Sequence, residues 1–292
     1  AGSLSALASA RLHVEEGGAS LLFALEPGMV RALEQAGMTD LYGDMELPLT
    51  RVLFRMENEG FLVDEPMLLD LQREMGDQVT ALAERIYEAA GERFNILSPK
   101  QLGEILFTKL GLPTQRKTKS GYSTDADTLE ALSDKHPIVP LILEYRFIAK
   151  LKSTFVDGLL QARSAKDGRV RTSFNQCVTA TGRISSTEPN LQNIPVRTEQ
   201  GRQIRKAFVA SPGNVLVGAD YSQIELRLLA HISGDRNMID AFLSGDDIHR
   251  RTASEVFHTP LDLVTGEMRS AAKAVNFGIV YGISDFGLDF NI

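Results

Sequence analysis

NVLVGADYSQIELRLLAHIS, residues 214–233, contains two periodicities in succession. NVLVGAD is a short apolar run ending in an acid, which predicts a buried strand. SQIELRLLAHIS resumes helical period, with Ser222 placed to cap the helix. Helix-rich sequence lies on both sides of this junction. The order helical lobe, sheet core, helical lobe predicts a cleft-forming mixed α/β (α+β) fold. Asp220 falls at the carboxyl end of the predicted strand, where a side chain emerges from a sheet. A carboxylate there is placed to hold a divalent metal. Mg²⁺ prefers hard oxygens and shares its coordination with substrate phosphates, and the Tyr221 carbonyl offers a second oxygen. Glu225 lies close by, on the first helical turn. Alone, Asp220 reads equally as a cap or surface acid.

Upstream, RVRTSFNQCVTA (169–180) alternates and is rich in Val and Thr, which predicts strands. TATGRISSTEPNLQNIPVR (179–197) follows, dense in Thr, Ser, Asn, Gln and Arg, with turn residues Gly182, Pro189 and Pro195. It is a polar loop by composition, and its many donors at short reach also suit sugar, phosphate and minor-groove base edges. Downstream, RSAAKAVNFGIVY (269–281) spaces Arg269, Lys273, Phe277 and Tyr281 four residues apart. On a helix each step of four drifts by about 40°, so one face shows two cations and then two rings over roughly 18 Å. A nucleoside triphosphate has the same grading, and a helix N-terminus favours phosphate at the cationic end. The alternative is an amphipathic helix with its basic residues in solvent and its aromatics in a core.

Farther out, Leu68, Leu71, Met75, Val79, Leu82 and Ile86 recur at threes and fours and predict a long helix closed by Gly91. Ser98 and Pro99 read as N-cap and first residue of another helix, with Gly111 at its end. Residues 113–124 form a polar, basic loop without apolar period, and a helix begins near Asp125. Ile142 to Leu160 predicts a long helix carrying Arg146, Lys150 and Lys152. Residues 1–44 read as short helices broken at Gly17, Gly18, Gly28, Gly37 and Gly43, the end of something rather than a complete unit. Residues 236–292 read as helices.

The 292 residues suffice for one large domain or two to three lobes. The single cysteine, Cys177, excludes an internal disulfide and a CxxC metal site and points to a reducing compartment. No run of 18 apolar residues predicts a membrane span. The first residues show no signal-peptide pattern and no initiator Met, as expected for a chain that begins inside a longer protein. The net charge of −7 is unevenly spread: residues 1–94 carry −10 (7 basic, 17 acidic), and residues 146–206 carry +8 (12 basic, 4 acidic). That basic middle is either a phosphate-backbone surface or a solvated face. No G-x-x-x-x-G-K-[ST] or G-x-G-x-x-G loop precedes a helix, which argues against a P-loop NTPase or a kinase.

Taken together, these stretches resemble the signatures of the bacterial DNA polymerase I family, family A. DYSQIELR (220–227) resembles its first palm motif, RSAAKAVNFGIVYG (269–282) its nucleotide-binding fingers helix, and TATGRISSTEPNLQNIPVR its primer–template loop. DDIHRRTASEVF (246–257) also matches, and the four occur in the family's order over roughly residues 45–288. The resemblance implies a right-hand polymerase: residues 1–44 a remnant of an exonuclease-like domain, 45–165 a mostly helical thumb with the start of the palm near 45–60, 166–235 the first part of the palm with a partial antiparallel sheet, and 236–292 partial fingers that end after the nucleotide-binding helix.

It implies template-directed 5′–3′ DNA synthesis in replication or repair, by a monomer in the cytoplasm with two Mg²⁺ ions, primer–template DNA and dNTP. Asp220 is implied as a catalytic metal ligand, assisted by the Tyr221 carbonyl. Arg269, Lys273 and His249 are implied to bind the triphosphate, and Lys273 to donate a proton to pyrophosphate. Phe277 is implied to stack near the sugar and base and, as Phe, to discriminate against dideoxynucleotides. Tyr281 is implied beside the templating position, and Glu225 as the gate against a ribose 2′-OH, with Gln223 in the same nucleotide site. Arg183 is implied to read the primer-terminal minor groove, with Asn190, Gln192, Asn193 and Arg197 along the same duplex surface and Lys150 and Lys152 on the backbone.

The family's second catalytic carboxylate, in a His-Asp-Glu motif beyond the fingers helix, has no match in this chain, and LDFNI at its end departs from the family pattern. One carboxylate and one carbonyl make a poor cage for two Mg²⁺ ions, so the chain by itself is expected to be inactive. An open sheet edge and an exposed apolar face are expected with it. The alternative is a non-catalytic module that holds primer–template or nucleotide.

Overall fold

The computed structural model describes residues 20–113, 117–118 and 121–281. The chain divides into two compact units, residues 1–216 and 217–292. The fold is mixed α/β and predominantly helical, with small antiparallel sheet fragments. Among the described residues no helix is long and apolar enough to cross a membrane.

In the first unit, α1 (Ser20–Gln35) runs through Pro27 and Gly28 without a break. The expected break at Gly28 is thus corrected: an interior glycine costs about 1 kcal/mol, which weakens a helix without ending it. Gly43 likewise sits inside a π-helical turn, Leu41–Glu46. The break at Gly37 is real, with φ +65°. Gly17 and Gly18 lie outside the described residues. After α2 (Leu47–Glu59), Gly60 adopts φ +65° and turns the chain into β1 (Phe61–Leu62).

The organising element is α3 (Glu65–Ala90). Gly91 closes it in the left-handed region, as the sequence predicts, and at its start Asp64 accepts from the Met67 N–H. The apolar stripe Leu68, Leu71, Met75, Leu82 and Ile86 is buried. It packs on α6 (Ile138–Leu151), which continues through a π-helical segment, Lys152–Asp157, into α7 (Gly158–Ala162). One core gathers Leu68, Met75, Leu151, Val156 and Leu159. A second gathers Ile86, Leu102, Leu106, Leu129 and Ile142 around α4 (Pro99–Gly103), its π-helical continuation Glu104–Lys109, and α5 (Ala126–Glu130). Ser98 and Asp125 cap these helices, accepting from the Gln101 and Thr128 N–H groups. In the loop 113–124, β2 (Lys117–Thr118) pairs with β3 (Gly121–Tyr122); its residues 114–116 and 119–120 lie outside the described residues.

β1 pairs antiparallel with β4 (Arg169–Val170), Phe61 opposite Val170. Val209 N–H donates to Leu62 O at 3.0 Å and Asp64 N–H to Ala207 O at 2.8 Å, so three segments meet there. β5 (Ser173–Asn175) pairs with β6 (Ser185–Thr187), Phe174 opposite Ser186. The strands predicted in 169–180 are therefore present up to Asn175.

The buried strand predicted at 214–220 is not formed. These residues have no regular structure, and Val215 and Val217 are 80% and 86% exposed. Val215 and Leu216 border a groove of about 830 Å³ together with Leu62, Val170 and Val209. No described strand pairs with them, and an apolar run without a ladder partner has nowhere to place its backbone hydrogen bonds.

α8 (Glu199–Lys206) starts at Thr198, whose hydroxyl accepts from the Gly201 N–H at 3.2 Å. Gly201 lies directly against Pro195: a Cβ there would collide with the proline's carbonyl oxygen and ring. Gly201→Ala is therefore expected to destabilise the chain by roughly 1–3 kcal/mol, as overpacking does. Thermal unfolding of the variant checks this, and an unchanged melting temperature contradicts it.

Candidate active site

In the second unit, α9 (Ile224–Ser233), α10 (Arg236–Ser244), α11 (Ile248–Val256) and α12 (Gly266–Tyr281) follow one another. Gly245, at φ +77°, ends α10 and lets the chain re-enter a helix within three residues. Asp247 caps α11: its Oδ1 accepts from the His249 N–H at 3.0 Å and the Arg250 N–H at 3.3 Å. Its Oδ2 accepts from Arg269 Nε at 2.6 Å. One carboxylate thus neutralises a helix N-terminus and fixes the guanidinium of the neighbouring helix. Partial burial pushes the Asp247 carboxyl up. The Arg269 hydrogen bond, the two backbone donors and the Arg269 charge outweigh it, leaving the group below the ordinary carboxylate value.

The entry to α12 is set by Thr265, whose hydroxyl accepts from the Met268 N–H at 3.2 Å, and by Arg250, whose Nε donates to Leu261 O at 2.8 Å. Ala272 packs in a small core with Ala253 and Val264. Arg269, half-buried, and Lys273, exposed, lie one turn apart on this helix. His249 is only 2% exposed. Its Nδ1 stands 3.1 Å from Asn276 Nδ2. Burial is the main cause that pushes the imidazole below its usual 6.5; the Asp247 charge opposes this, and Arg269 and Lys273 add to it. His249 is therefore neutral at pH 7.

The other predicted site residues are distributed as follows. In the second unit, Asp220 and Tyr221 lie on exposed, irregular backbone rather than at a strand end. The predicted Ser222 cap is also corrected: the cap position is Gln223, which makes no side-chain cap bond and sits at φ 54°, ψ 40°. For a non-glycine residue this left-handed conformation costs about 1–2 kcal/mol. The Ser222 carbonyl instead accepts from Arg227 Nε at 2.9 Å, and the Arg227 guanidinium lies 4.6 Å from the centre of the Phe242 ring. Glu225 is half-buried on the first turn of α9. Phe277 and Tyr281 occupy the later turns of α12, and their side chains fall outside the described residues.

In the first unit, the loop 179–197 uses much of its polar content on itself. Asn190 Oδ1 accepts from the Gln192 N–H at 3.0 Å and the Asn193 N–H at 3.2 Å. Gln192 Nε2 donates to Ile184 O at 2.8 Å, and its Oε1 accepts from Ser186 N–H at 3.3 Å. Thr172 Oγ1, buried, is within 2.9 Å of Ser186 Oγ, Thr187 O and Pro189 O. Arg183, Asn193 and Arg197 are exposed, as is Lys150. Lys152 is paired with Asp157 at 2.9 Å. Asp247, Thr252 and Asn276 were not singled out from sequence. An acid two residues before His249 at a helix start is a readable capping signal; the partnership of Asn276 with a neighbouring helix has no local signature.

Among the described residues no group of three or more His, Cys, Asp or Glu could hold a metal ion. Asp220 and the Tyr221 carbonyl supply two ligand groups where a Mg²⁺ pair needs several more. The described donors do not fit the expected two-ion centre.

The profile of DNA polymerase family A matches residues 65–292. The chain is 54% identical over 270 residues to DNA polymerase I of Bacillus subtilis, covering 92% of this chain and 31% of that protein. It is 52% identical over 275 residues to DNA polymerase I of Geobacillus stearothermophilus, covering 94% and 31%. The POL domain of Pol1 from M. smegmatis, solved in complex with DNA primer-template and dNTP, superposes with a TM-score of 0.90 at 44% identity, covering 99% of this chain and 52% of that one. The chain thus spans about a third of the length of these curated relatives.

The lowered pKa of His249 sets a pH dependence. Below about pH 6.5 the unfolded imidazole takes up a proton that the folded one, held neutral chiefly by its burial, refuses. Stability is then expected to fall as pH drops through and below the unfolded value, and to be fully present above it. The loss should vanish in His249→Gln. Unfolding measured from about pH 8 to about pH 5.5 checks this, and equal pH dependence in the two proteins contradicts it.

Proposed function

Because the chain belongs to DNA polymerase family A, we propose that its residues serve template-directed 5′–3′ nucleotidyl transfer from a dNTP to a primer 3′-OH. The single observation that carries this is the cluster at α11 and α12. Arg269, oriented by Asp247, and Lys273, one turn on, bring two cations to one helical face. His249 adds a neutral imidazole at the same helix pair. Fixed guanidinium and ammonium groups suit a triphosphate.

The loop 179–197 binds the primer–template in this reading. Its internal hydrogen bonds hold Asn190 and Gln192 as scaffold, and its exposed Arg183 and Arg197 are placed for the duplex, with Lys150 on the backbone. Lys152, whose ammonium Asp157 holds at 2.9 Å, is assigned to the backbone with it. Glu225, with Gln223, excludes a ribose 2′-OH; Phe277 and Tyr281 take sugar, base and templating position. Residues 45–165 act as thumb, 166–235 as palm and 236–292 as fingers. The similar Pol1 domain, captured with primer-template and dNTP, supports both partners. The chain works as a monomer in the cytoplasm.

By itself, this chain binds without turning over. Asp220 is the one carboxylate assigned to the transfer centre, and the described donors around it do not complete a two-ion cage. Lys273 would donate a proton to the leaving pyrophosphate.

Fluorescence anisotropy with a labelled primer–template hairpin tests the reading. The chain is expected to bind, and roughly four phosphate contacts should weaken binding about a hundredfold between about 50 and 200 mM salt. Primer extension with Mg²⁺ and dNTPs is expected to yield no product. No duplex binding would contradict the reading as a whole, and robust extension would contradict the claim of inactivity.

A further inference from the structure

The transfer reading leaves Asn276 without a role, although it sits in the middle of the α11–α12 contact. Thr252 Oγ1 stands 3.0 Å from Ile248 O and 3.2 Å from Asn276 Oδ1, two acceptors for its one proton, and the shorter contact is to the carbonyl of its own helix. The threonine oxygen is then an acceptor for Asn276 Nδ2, 3.1 Å away. The second proton of the same Nδ2 points the amide at His249 Nδ1, also 3.1 Å away. An amide nitrogen can only donate, so its contact with the imidazole makes Nδ1 the acceptor. We propose that Asn276 is a positioning residue that holds His249 as the neutral tautomer with its proton on Nε2.

The environment agrees with a neutral ring. His249 is 2% exposed, and the charges acting on it are Asp247 on its own helix and Arg269 and Lys273 on α12. Burial is the main cause that disfavours an imidazolium; the Asp247 charge opposes it, and Arg269 and Lys273 add to it. With the ring neutral, the tautomer decides what it offers an anion: a proton on Nε2 makes that nitrogen a donor, whereas a proton on Nδ1 leaves a lone pair there that repels phosphate oxygens. The value of the device rests on the triphosphate reading above; its existence does not.

The test is a two-bond ¹H–¹⁵N correlation spectrum of the whole chain labelled on its histidine nitrogens. There are five histidines, and His249→Gln identifies the signals of interest. The wild-type spectrum is expected to show His249 Nδ1 unprotonated and Nε2 protonated at neutral pH. Asn276→Asp replaces the amide donor with an acceptor and should draw a proton onto Nδ1 and raise the ring's titration midpoint by about one unit or more. A wild-type ring protonated on Nδ1 overturns the proposal without reference to any variant. An unchanged ring in Asn276→Asp overturns it as well. Binding of dATP to the primer–template complex separates the two claims. If both hold, Asn276→Asp weakens it about tenfold. The expected tautomer with unchanged dATP affinity would sink the triphosphate role of His249 and leave the tautomer assignment standing.

Discussion

The 2.6 Å hydrogen bond from Arg269 to Asp247 is the constraint on which the second unit's chemistry depends. Without Asp247, α11 would begin with unsatisfied N–H groups, and Arg269 would be an ordinary flexible surface arginine carrying a large rotamer entropy. With it, one carboxylate spends one oxygen on a helix start and the other on a guanidinium. The same cap fixes where α11 starts, and therefore where His249, two residues on, meets Asn276. Small residues at Ala253 and Ala272 let the two helices approach closely enough for these side chains to touch.

The first unit solves a different problem. It must hold a polar, irregular loop in one shape without a large sheet behind it. The long α3 supplies the apolar floor, and the close approach of Gly201 to Pro195 pins the loop's far end. Inside the loop, Asn190, Gln192, Thr172 and Ser186 satisfy backbone groups that would otherwise need water. Of the residues that look like duplex readers in sequence, Asn190 and Gln192 are spent on scaffolding, while Arg183 and Arg197 are exposed.

Much of the local structure was legible from sequence because its signals are local. Ser98, Asp125 and Gly91 mark helix ends through bonds made within a few residues. The 3.6-residue stripe of α3 needs no knowledge of its partner. The stretch 214–220 failed for the opposite reason: a strand exists only if another strand pairs with it, and an apolar run cannot say whether that partner is present. Gly28 reads as a break in sequence, yet its cost of about 1 kcal/mol weakens a helix without ending it. In the site, Arg269 and Lys273 were visible as a face of one helix, and family motifs implied His249 beside them. Asp247 is legible locally as a helix cap, but its bond to Arg269 and the partnership of Asn276 with His249 arise only when two helices are laid together in register.

The central claim is that the α11–α12 pair is a triphosphate site. Calorimetric titration of the chain bound to primer–template with dATP and with dAMP tests it most directly. If Arg269 and Lys273 hold phosphates, dATP should bind at least about tenfold tighter than dAMP, and Lys273→Ala should remove most of that difference. Equal affinity for the two nucleotides, or a preference for dATP that survives Lys273→Ala unchanged, would contradict it.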